Sequence, residues 1–242
     1  MMLIKAALNG TRTLQDHPQV PVTTHALVIA ARGAVAAGAG AIHFHVRDSG
    51  GRESLHPDDV NSQVQAMKHA LPGIPVGIST GAWIVPELAL RLEYIEQWMV
   101  LPDFVSVNGD EAGFEQVADK MLQRGIGVEA GISSEAAVLN FKRSGRLPHC
   151  FRLLLEPGEQ EMAAALHTAA AIEQHLTDKL PGQSVLLHGT DLTCWPLLKM
   201  AISKGYDLRI GFEDTLLHPS GIPAADNAEL VQTAMLYKNG NL

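Results

Sequence analysis

The sequence contains two cysteines, Cys150 and Cys194, and only 5% of its 242 residues are aromatic. Two widely spaced cysteines supply neither a disulfide framework nor the spacing of a structural zinc site. Runs of 18 or more apolar residues, which a membrane-spanning helix needs, are absent. The first residues show no signal-peptide pattern. We therefore expect a soluble, cytoplasmic protein that has no membrane partner.

Clusters of basic residues are also missing. The chain carries 18 Lys and Arg against 26 Asp and Glu, which gives a formal net charge of −8. A protein of this charge, with no basic patch, is a poor partner for nucleic acid. The glycine-rich sequences GxGxxG and the Walker loop are absent as well, so the motifs that commonly mark nucleotide-cofactor sites are not available.

Short β-prone runs alternate with helical patterns along the chain. The candidate strands are residues 3–9, 41–46, 74–79, 103–108, 125–129, 150–156, 184–188 and 208–213. Eight strand–helix pairs with no linker predict an α/β protein, a single (β/α)8 TIM barrel domain over residues 1–242. A doubly wound open sheet is the competing architecture, but it does not require a count of eight.

Polar residues occupy alternate positions of the candidate strands. In residues 41–46, His43 and His45 alternate with apolar residues, so both imidazoles should face the barrel interior. The same alternation puts polar residues at the last inward positions of the other strands, namely Asn9, Ser79, Asn108, Glu129, Glu156, His188 and Glu213. Because TIM-barrel active sites lie at the carboxyl ends of the strands, this ring predicts an active site.

Two histidines on one strand face are a common way to hold a divalent metal. Glu213 should reach His43 and His45, because alternate strands contribute side chains to the same interior layer. Two imidazoles and one carboxylate leave positions open for water or substrate, as in catalytic zinc sites, and the same set suits non-haem iron. His188 is a further ligand, a substrate contact or a hydrogen-bonded pocket residue.

The acidic pair Glu213-Asp214 could divide its roles between metal binding and proton transfer, although Asp214 could also cap a turn. Arg209 shares the face of Glu213, so it could orient a carboxylate, bind a substrate anion or form a structural ion pair with Glu156 or Glu129. The catalytic candidates are Asp214 and Arg209. The substrate-binding candidates are Ser79, Thr80, Ser106, Asn108, Arg12, Glu129, Glu156 and His188. For Arg12 a solvated loop position is the alternative, and for Ser79 and Thr80 it is helix capping.

Six motifs follow one another from the first strand to the last helix: AALNGTRT, AIHFHVRD, VGISTGAW, FVSVNGDEAG, LRIGFED and AADNAELV. In this order they resemble the β-keto acid cleavage enzyme family, often called 3-keto-5-aminohexanoate cleavage proteins. HxHxR together with GFED is the most specific pair. The resemblance covers nearly the whole chain and implies a zinc-dependent (β/α)8 barrel.

The resemblance also implies a reaction in which a β-keto acid and acetyl-CoA give acetoacetate and a new acyl-CoA. It implies that His43, His45 and Glu213 bind Zn²⁺. Asp214 would be the general base and Arg209 would tune it. The family further implies a homo-oligomer, a tetramer. Two other functions remain open: a metal-dependent aldolase or lyase that works without CoA, and a non-catalytic barrel that binds a metal or metabolite.

Two positions depart from the aminohexanoate-cleaving members of the family. Arg12 stands where they have a glutamate, and Gly131 stands where they have an acid near the end of the fifth strand. Both changes remove negative charge that would suit an ammonium group. We therefore expect a substrate whose distal end is neutral or anionic rather than the cationic aminohexanoate.

Overall fold

A computed structural model describes residues 2–176 and 182–241 of the chain. Eight parallel strands pair in sequence order and close into a barrel, and each strand is followed by an α-helix. The strands are β1 (Ile4–Ala7), β2 (Ala41–Phe44), β3 (Val76–Ser79), β4 (Phe104–Asn108), β5 (Gly127–Ile132), β6 (Arg152–Leu155), β7 (Ser184–Leu187) and β8 (Asp207–Ile210). The predicted (β/α)8 TIM barrel is confirmed.

The helices cover the outside of the barrel. They are α1 (Thr24–Ala36), α2 (Pro57–Ala70), α3 (Leu88–Gln97), α4 (Phe114–Gln123), α5 (Glu135–Arg143), α6 (Met162–Gln174), α7 (Cys194–Lys204) and α8 (Asn227–Lys238). Within residues 2–176 and 182–241, none of them has the length and apolar character that crossing a membrane would require.

Local signals fix where several helices begin and end. The Thr23 hydroxyl accepts the N–H of Ala26 and so caps the start of α1. Pro57 occupies the first position of α2, where its missing N–H costs no hydrogen bond. Gly205 ends α7 in the left-handed region, with φ of 70°, a conformation that glycine adopts without a steric penalty.

Side-chain alternation divides the strands into two faces. Outward residues such as Ile42, Phe44 and Ile78 are fully buried against the helices and belong to one continuous hydrophobic core. The inward face is largely polar and charged, unlike the branched apolar filling of most TIM barrels. Phe104 is an exception, and its ring fills the space beside Gly77, where a Cβ would collide with it.

The fifth strand differs from its prediction. β5 does not end at Glu129 but runs to Ile132, and its register pairs Glu129 with Arg152 and Gly131 with Asn108. Gly131 is therefore the last inward residue of β5, because side chains alternate along a strand. The prediction that Glu129 stands at the barrel mouth among the substrate-binding residues is wrong.

Glu129 instead lies inside the barrel in a fully buried ion-pair network. Its two carboxylate oxygens lie 2.5 Å from Lys5 Nζ and 2.5 Å from Arg152 Nη1. Burial raises the pKa of Glu129, but the attraction of Lys5 and Arg152 outweighs it, so the pKa lies below its usual value of 4.5. A buried network of this kind is costly to break, because any partner left behind keeps an uncompensated charge.

We expect Glu129→Gln to lower the free energy of unfolding by about 3–5 kcal/mol, because Lys5 then remains buried without a counter-ion. Urea unfolding at neutral pH measures this change. Glu96→Gln is the matched control, since Glu96 pairs with Lys120 on the exposed surface, 2.7 Å away. A control that destabilises as much as Glu129→Gln would contradict the proposed importance of burial.

The same network makes stability depend on pH. Since the pKa of Glu129 is lower in the folded state than in the unfolded chain, its contribution is complete above about pH 4.5 and is lost as the pH falls through the folded-state pKa. The acid-side loss of stability should therefore be smaller in Glu129→Gln than in the wild type. Equal losses in the two proteins would show that Glu129 does not carry this effect.

Candidate active site

A cavity of about 180 Å³ opens at the carboxyl-terminal mouth of the barrel. Its lining comes from six of the eight strands or the loops that follow them. The lining residues are Thr11, His43, His45, Ser79, Trp83, Ser106, Asn108, Glu156, Arg209 and Glu213. Most of these residues are the polar strand-end residues that the sequence pattern places together.

Two imidazoles lie beside one carboxylate. One belongs to β2 and the other follows the carboxyl end of this strand. His43 Nε2 lies 3.6 Å from Glu213 Oε2, and His45 Nε2 lies 3.3 Å from Glu213 Oε1. Both histidines are buried, and the potential ligand atoms of the three residues all lie within 4.8 Å of one another. Burial lowers the pKa of His43, which keeps this imidazole neutral. We call this set the His43/His45/Glu213 cluster.

The cluster fits a divalent metal on its own geometry. Glu213 Oε2 is buried and accepts no hydrogen bond from any described residue, although Arg209 Nη2 lies 2.5 Å from Glu213 Oε1. A buried carboxylate oxygen without a donor is costly, and a cation removes that cost. Two imidazole nitrogens and one carboxylate oxygen are also the donor types that zinc and non-haem iron prefer.

Glu53 orients His45 from outside the cluster. Its Oε1 lies 2.5 Å from His45 Nδ1, which directs Nε2 of the same ring toward Glu213. Trp83 Nε1 donates to both oxygens of Glu53 at 3.2 Å, and the Trp83 ring stacks on His45. Burial opposes the charged form of His45, but Glu213 and Glu53 outweigh it and raise its pKa to about 9. Sequence reasoning missed Glu53, because it lies in the loop after β2, where no periodicity marks it.

The loop after β1 closes the cluster on the other side. Asn9 accepts the N–H of His45 and donates to the carbonyls of His45 and Pro21, so it joins the ends of β1 and β2. Gly10 has a φ of 54°, and a Cβ there would collide with the Glu213 side chain. The Asn-Gly pair of the first motif therefore leaves room for Glu213.

The late motif AADNAELV holds the turn that carries Glu213. Asn227, the first residue of α8, accepts the N–H of Phe212 through its side chain and donates to the carbonyl of Leu8. These bonds fix the turn after β8 against the end of β1. Glu213 lies in this turn rather than in the strand, since β8 ends at Ile210.

Arg209 connects the cluster to Asp214. Its Nε lies 3.0 Å from Asp214 Oδ1 and its Nη2 lies 2.8 Å from the same oxygen, in addition to its contact with Glu213. Burial opposes the charge, but Asp214 and Glu213 raise the pKa of Arg209. Asp214 is fully buried behind Arg209, which itself lines the cavity. The partners of Arg209 are thus Asp214 and Glu213, rather than Glu129 or a direct ion pair with Glu156.

His188 lies between two carboxylates. Its Nδ1 is 3.4 Å from Asp214 Oδ1, and its Nε2 is 3.4 Å from Glu156 Oε2. Burial and Arg209 lower the pKa of His188, but the two carboxylates outweigh them, and the pKa is raised. His188 is not among the cavity-lining residues, so the structure places it as a buried partner of Glu156 and Asp214.

Four predicted substrate-binding residues line the cavity: Ser79, Ser106, Asn108 and Glu156. The Thr80 side chain instead donates to the Ser106 carbonyl at 2.7 Å and does not line the cavity. Ser79 lies in a Gly-Ile-Ser-Thr-Gly sequence, and the N–H of Gly81 donates to its hydroxyl.

The two departures in charge are both offset. Arg12 is paired with Asp191, with Nη2 lying 2.5 Å from Oδ1, so its charge is not free at the mouth. The carboxylate of Glu156 occupies the space beside Gly131, where a Cβ would lie 2.7 Å from Glu156 Oε1. Glu156, itself one of the predicted substrate-binding residues, thus brings a carboxylate to the place where Gly131 has none.

We expect Glu53→Gln to weaken the binding of a divalent metal at the cluster by about 10–100-fold, because a carboxylate bonded to a ligating histidine fixes the orientation and basicity of that histidine. Competition with a chromophoric chelator measures this affinity. Glu87→Gln makes the same change at an exposed position before α3 and should leave the affinity unchanged. Equal affinities for Glu53→Gln and the wild type would show that Glu53 does not support the site.

The chain is similar in sequence to known proteins. The model of the beta-keto acid cleavage enzyme family matches residues 1–237. A 3-keto-5-aminohexanoate cleavage enzyme of Acetoanaerobium sticklandii is 26% identical, over 96% of this chain and 89% of its own length. A 3-oxoadipate:acetyl-CoA acetyltransferase of Cupriavidus necator is 32% identical over 80 residues, 33% of this chain and 28% of its own length.

Solved structures share the fold. ObcA in ternary complex with a C4-CoA adduct and oxalate aligns with a TM-score of 0.72 at 17% identity. The alignment covers 92% of this chain, but this chain spans only 65% of that one. The 3-dehydroquinate dehydratase of Geobacillus kaustophilus aligns with a TM-score of 0.60 at 11% identity, over 98% of this chain and 91% of its own length. With the family match covering nearly every residue, the chain belongs to the beta-keto acid cleavage enzyme family.

Proposed function

We propose that this protein is a zinc-dependent enzyme that exchanges acyl groups between a β-keto acid and acetyl-CoA. The acid R–CO–CH2–COO⁻ and acetyl-CoA would give acetoacetate and R–CO–CoA, which balances without any other reactant. The observation that carries the proposal is the buried His43/His45/Glu213 cluster beside the Arg209–Asp214 pair. Membership of the family supports cleavage of a β-keto acid.

The relatives support the use of CoA. One is a 3-oxoadipate:acetyl-CoA acetyltransferase, and the structure of ObcA holds a C4-CoA adduct. We carry this feature to the present chain as part of the proposal, together with the homotetramer that the family resemblance implies. The proposed Zn²⁺ would be held by His43, His45 and Glu213, and it would act as a Lewis acid toward the keto oxygen of the substrate.

Asp214 is the proposed general base. It would take the proton from the carbon between the carbonyl and carboxylate groups of the β-keto acid, and it would return a proton to acetoacetate. Arg209 pairs with the Asp214 carboxylate and fixes its direction through two short contacts. Because Glu213 binds the same guanidinium, the base and the metal cluster keep a constant relative position.

The proposed substrate has a distal end that is not cationic. Glu156 supplies a carboxylate to the part of the cavity where the distal end would lie. His188 lies 3.4 Å from this carboxylate and offsets its negative charge. A cationic group would therefore gain little from Glu156 alone. Ser79 and Ser106 complete the lining with hydroxyl groups that suit the carboxylate end of the acid.

Mass spectrometry of CoA esters tests the proposed reaction. Purified zinc-loaded protein is incubated with acetyl-CoA and a panel of neutral, cationic and anionic β-keto acids. We expect acetoacetate and a new acyl-CoA in equal amounts, and we expect both to be lost in His45→Ala. Cleavage that continues without acetyl-CoA would indicate a metal-dependent lyase. Metal and ligand binding without any turnover would indicate a non-catalytic barrel. The metal content of the active protein separates zinc from iron.

We expect Asp214→Asn to lower kcat by about 10²–10⁴-fold, because general-base catalysis contributes an effect of this size. Zinc content should stay the same, since Asp214 does not belong to the cluster. Steady-state acyl-CoA formation and elemental analysis measure the two quantities. Asp58→Asn, at an exposed position of α2, is the matched control and should retain kcat. An active Asp214→Asn protein would exclude Asp214 as the base.

A further inference from the structure

The cavity has two sides that face each other across the barrel. His43 and His45 come from β2 and its carboxyl end, and Glu213 follows β8, so the cluster flanks β1. Asn108 ends β4 and Glu156 follows β6, so these two residues flank β5. In a closed eight-stranded barrel β5 lies opposite β1. A substrate whose keto acid end lies at the cluster therefore extends its distal end toward β5.

Two acceptor oxygens converge on that opposite side. A Cβ at Gly131 would collide with Asn108 Oδ1 and with Glu156 Oε1, so both oxygens lie against the Gly131 backbone, and both residues line the cavity. Among the described residues, neither oxygen accepts a hydrogen bond. We call these two atoms the Asn108/Glu156 acceptor pair.

Other residues fix the direction of both acceptors. Asn108 Nδ2 donates to Glu111 Oε1 at 2.7 Å, which leaves Oδ1 of the same amide directed at Gly131. Glu111 Oε2 accepts the N–H of Ala82, so the carboxylate that receives the amide is itself held in place. Glu156 Oε2 faces His188 Nε2, which leaves Oε1 as its free oxygen.

The charge of this side is nearly balanced. Both ring nitrogens of His188 face a carboxylate oxygen at 3.4 Å, one from Asp214 and one from Glu156, and this arrangement favours the imidazolium. Arg209 balances Asp214. Glu156 therefore presents free lone pairs at Oε1 without presenting an unbalanced negative charge.

We propose that the Asn108/Glu156 acceptor pair recognises a neutral hydrogen-bond donor, a hydroxyl or carboxamide group, at the distal end of the β-keto acid. Gly131 is the specificity-determining position that lets the two oxygens come together, because a side chain there would displace both of them. This inference rests on the proposed function, which places the keto acid end at the cluster. A distal methyl group leaves both acceptors without a donor. A distal carboxylate has no donor either and places further acceptor oxygens beside the pair, so both groups are disfavoured.

Substrates of equal chain length test the inference. Zinc-loaded wild-type protein is given 3-oxo acids that end in a hydroxyl, carboxamide, methyl, ammonium or carboxylate group, and kcat/KM is measured by acyl-CoA formation. We expect the hydroxyl or carboxamide acid to exceed the methyl acid by about tenfold or more. A methyl acid that equals the donors would overturn the inference, and so would an ammonium acid that exceeds them all.

Glu156→Gln should reverse the polarity of the pair. The new amide oxygen can accept from His188, which turns the amide nitrogen toward Gly131 as a donor. The ratio of kcat/KM for the hydroxyl acid to that for the methyl acid should fall about tenfold, and the carboxylate acid should improve relative to both. Glu159→Gln makes the same change in the same loop outside the cavity and should leave the ratio unchanged. An unchanged ratio in Glu156→Gln would indicate a merely structural residue.

Dissociation constants separate this inference from the proposed reaction. They are measured for the same acids with zinc-loaded protein in the absence of acetyl-CoA. If the wild type binds the acids but forms no acyl-CoA, the proposed exchange fails, while the donor preference is still judged from the binding constants. If acyl-CoA forms without a donor preference, the exchange stands and the acceptor pair is not a recognition site.

Discussion

Pairing of buried charges is the constraint on which this barrel depends, because its inward strand faces carry far more ionisable groups than a TIM barrel usually holds. Each such group needs a counter-charge at short range, since an unpaired charge in the interior is strongly destabilising. Lys5, Glu129 and Arg152 meet this need inside the barrel. At the mouth, Arg209 meets it for Asp214 and for one oxygen of Glu213. The other oxygen of Glu213 has no hydrogen-bond donor among the described residues, and this unpaired oxygen supports the proposed metal site.

Strand alternation makes much of the fold and site predictable from the sequence. His43 and His45 share one face of a strand, and the barrel count places Glu213 near them. Prediction fails where a boundary or a loop decides the outcome. The strand pattern predicts Glu129 at the mouth, but β5 continues for three more residues, and a shift of the strand end changes which inward residue is last. Glu53 acts from a loop, where sequence periodicity carries no information about side-chain direction.

Counting charges along the sequence does not show which of them share one space in the barrel. It assigns each carboxylate to the strand that carries it, whereas neighbouring strands in a barrel share the space between them. Gly131 and Glu156 show the effect, because the missing side chain of one residue is replaced by the longer side chain of the other. Arg12 shows the converse, since Asp191 from the loop after β7 already neutralises its charge. Only the three-dimensional arrangement shows which charges a substrate would meet.

The His43/His45/Glu213 cluster and the Asn108/Glu156 acceptor pair lie on opposite halves of the barrel, and this placement has an evolutionary consequence. The cluster is held by contacts among β1, β2 and β8, including those of Asn9 and Asn227. Substitutions at Asn108, Gly131 and Glu156 touch none of those contacts, so they can accumulate without the loss of the proposed metal site. Related barrels could therefore change their substrate specificity while they keep the same reaction. The half of the barrel that carries the cluster would stay the same, and the opposite half would vary.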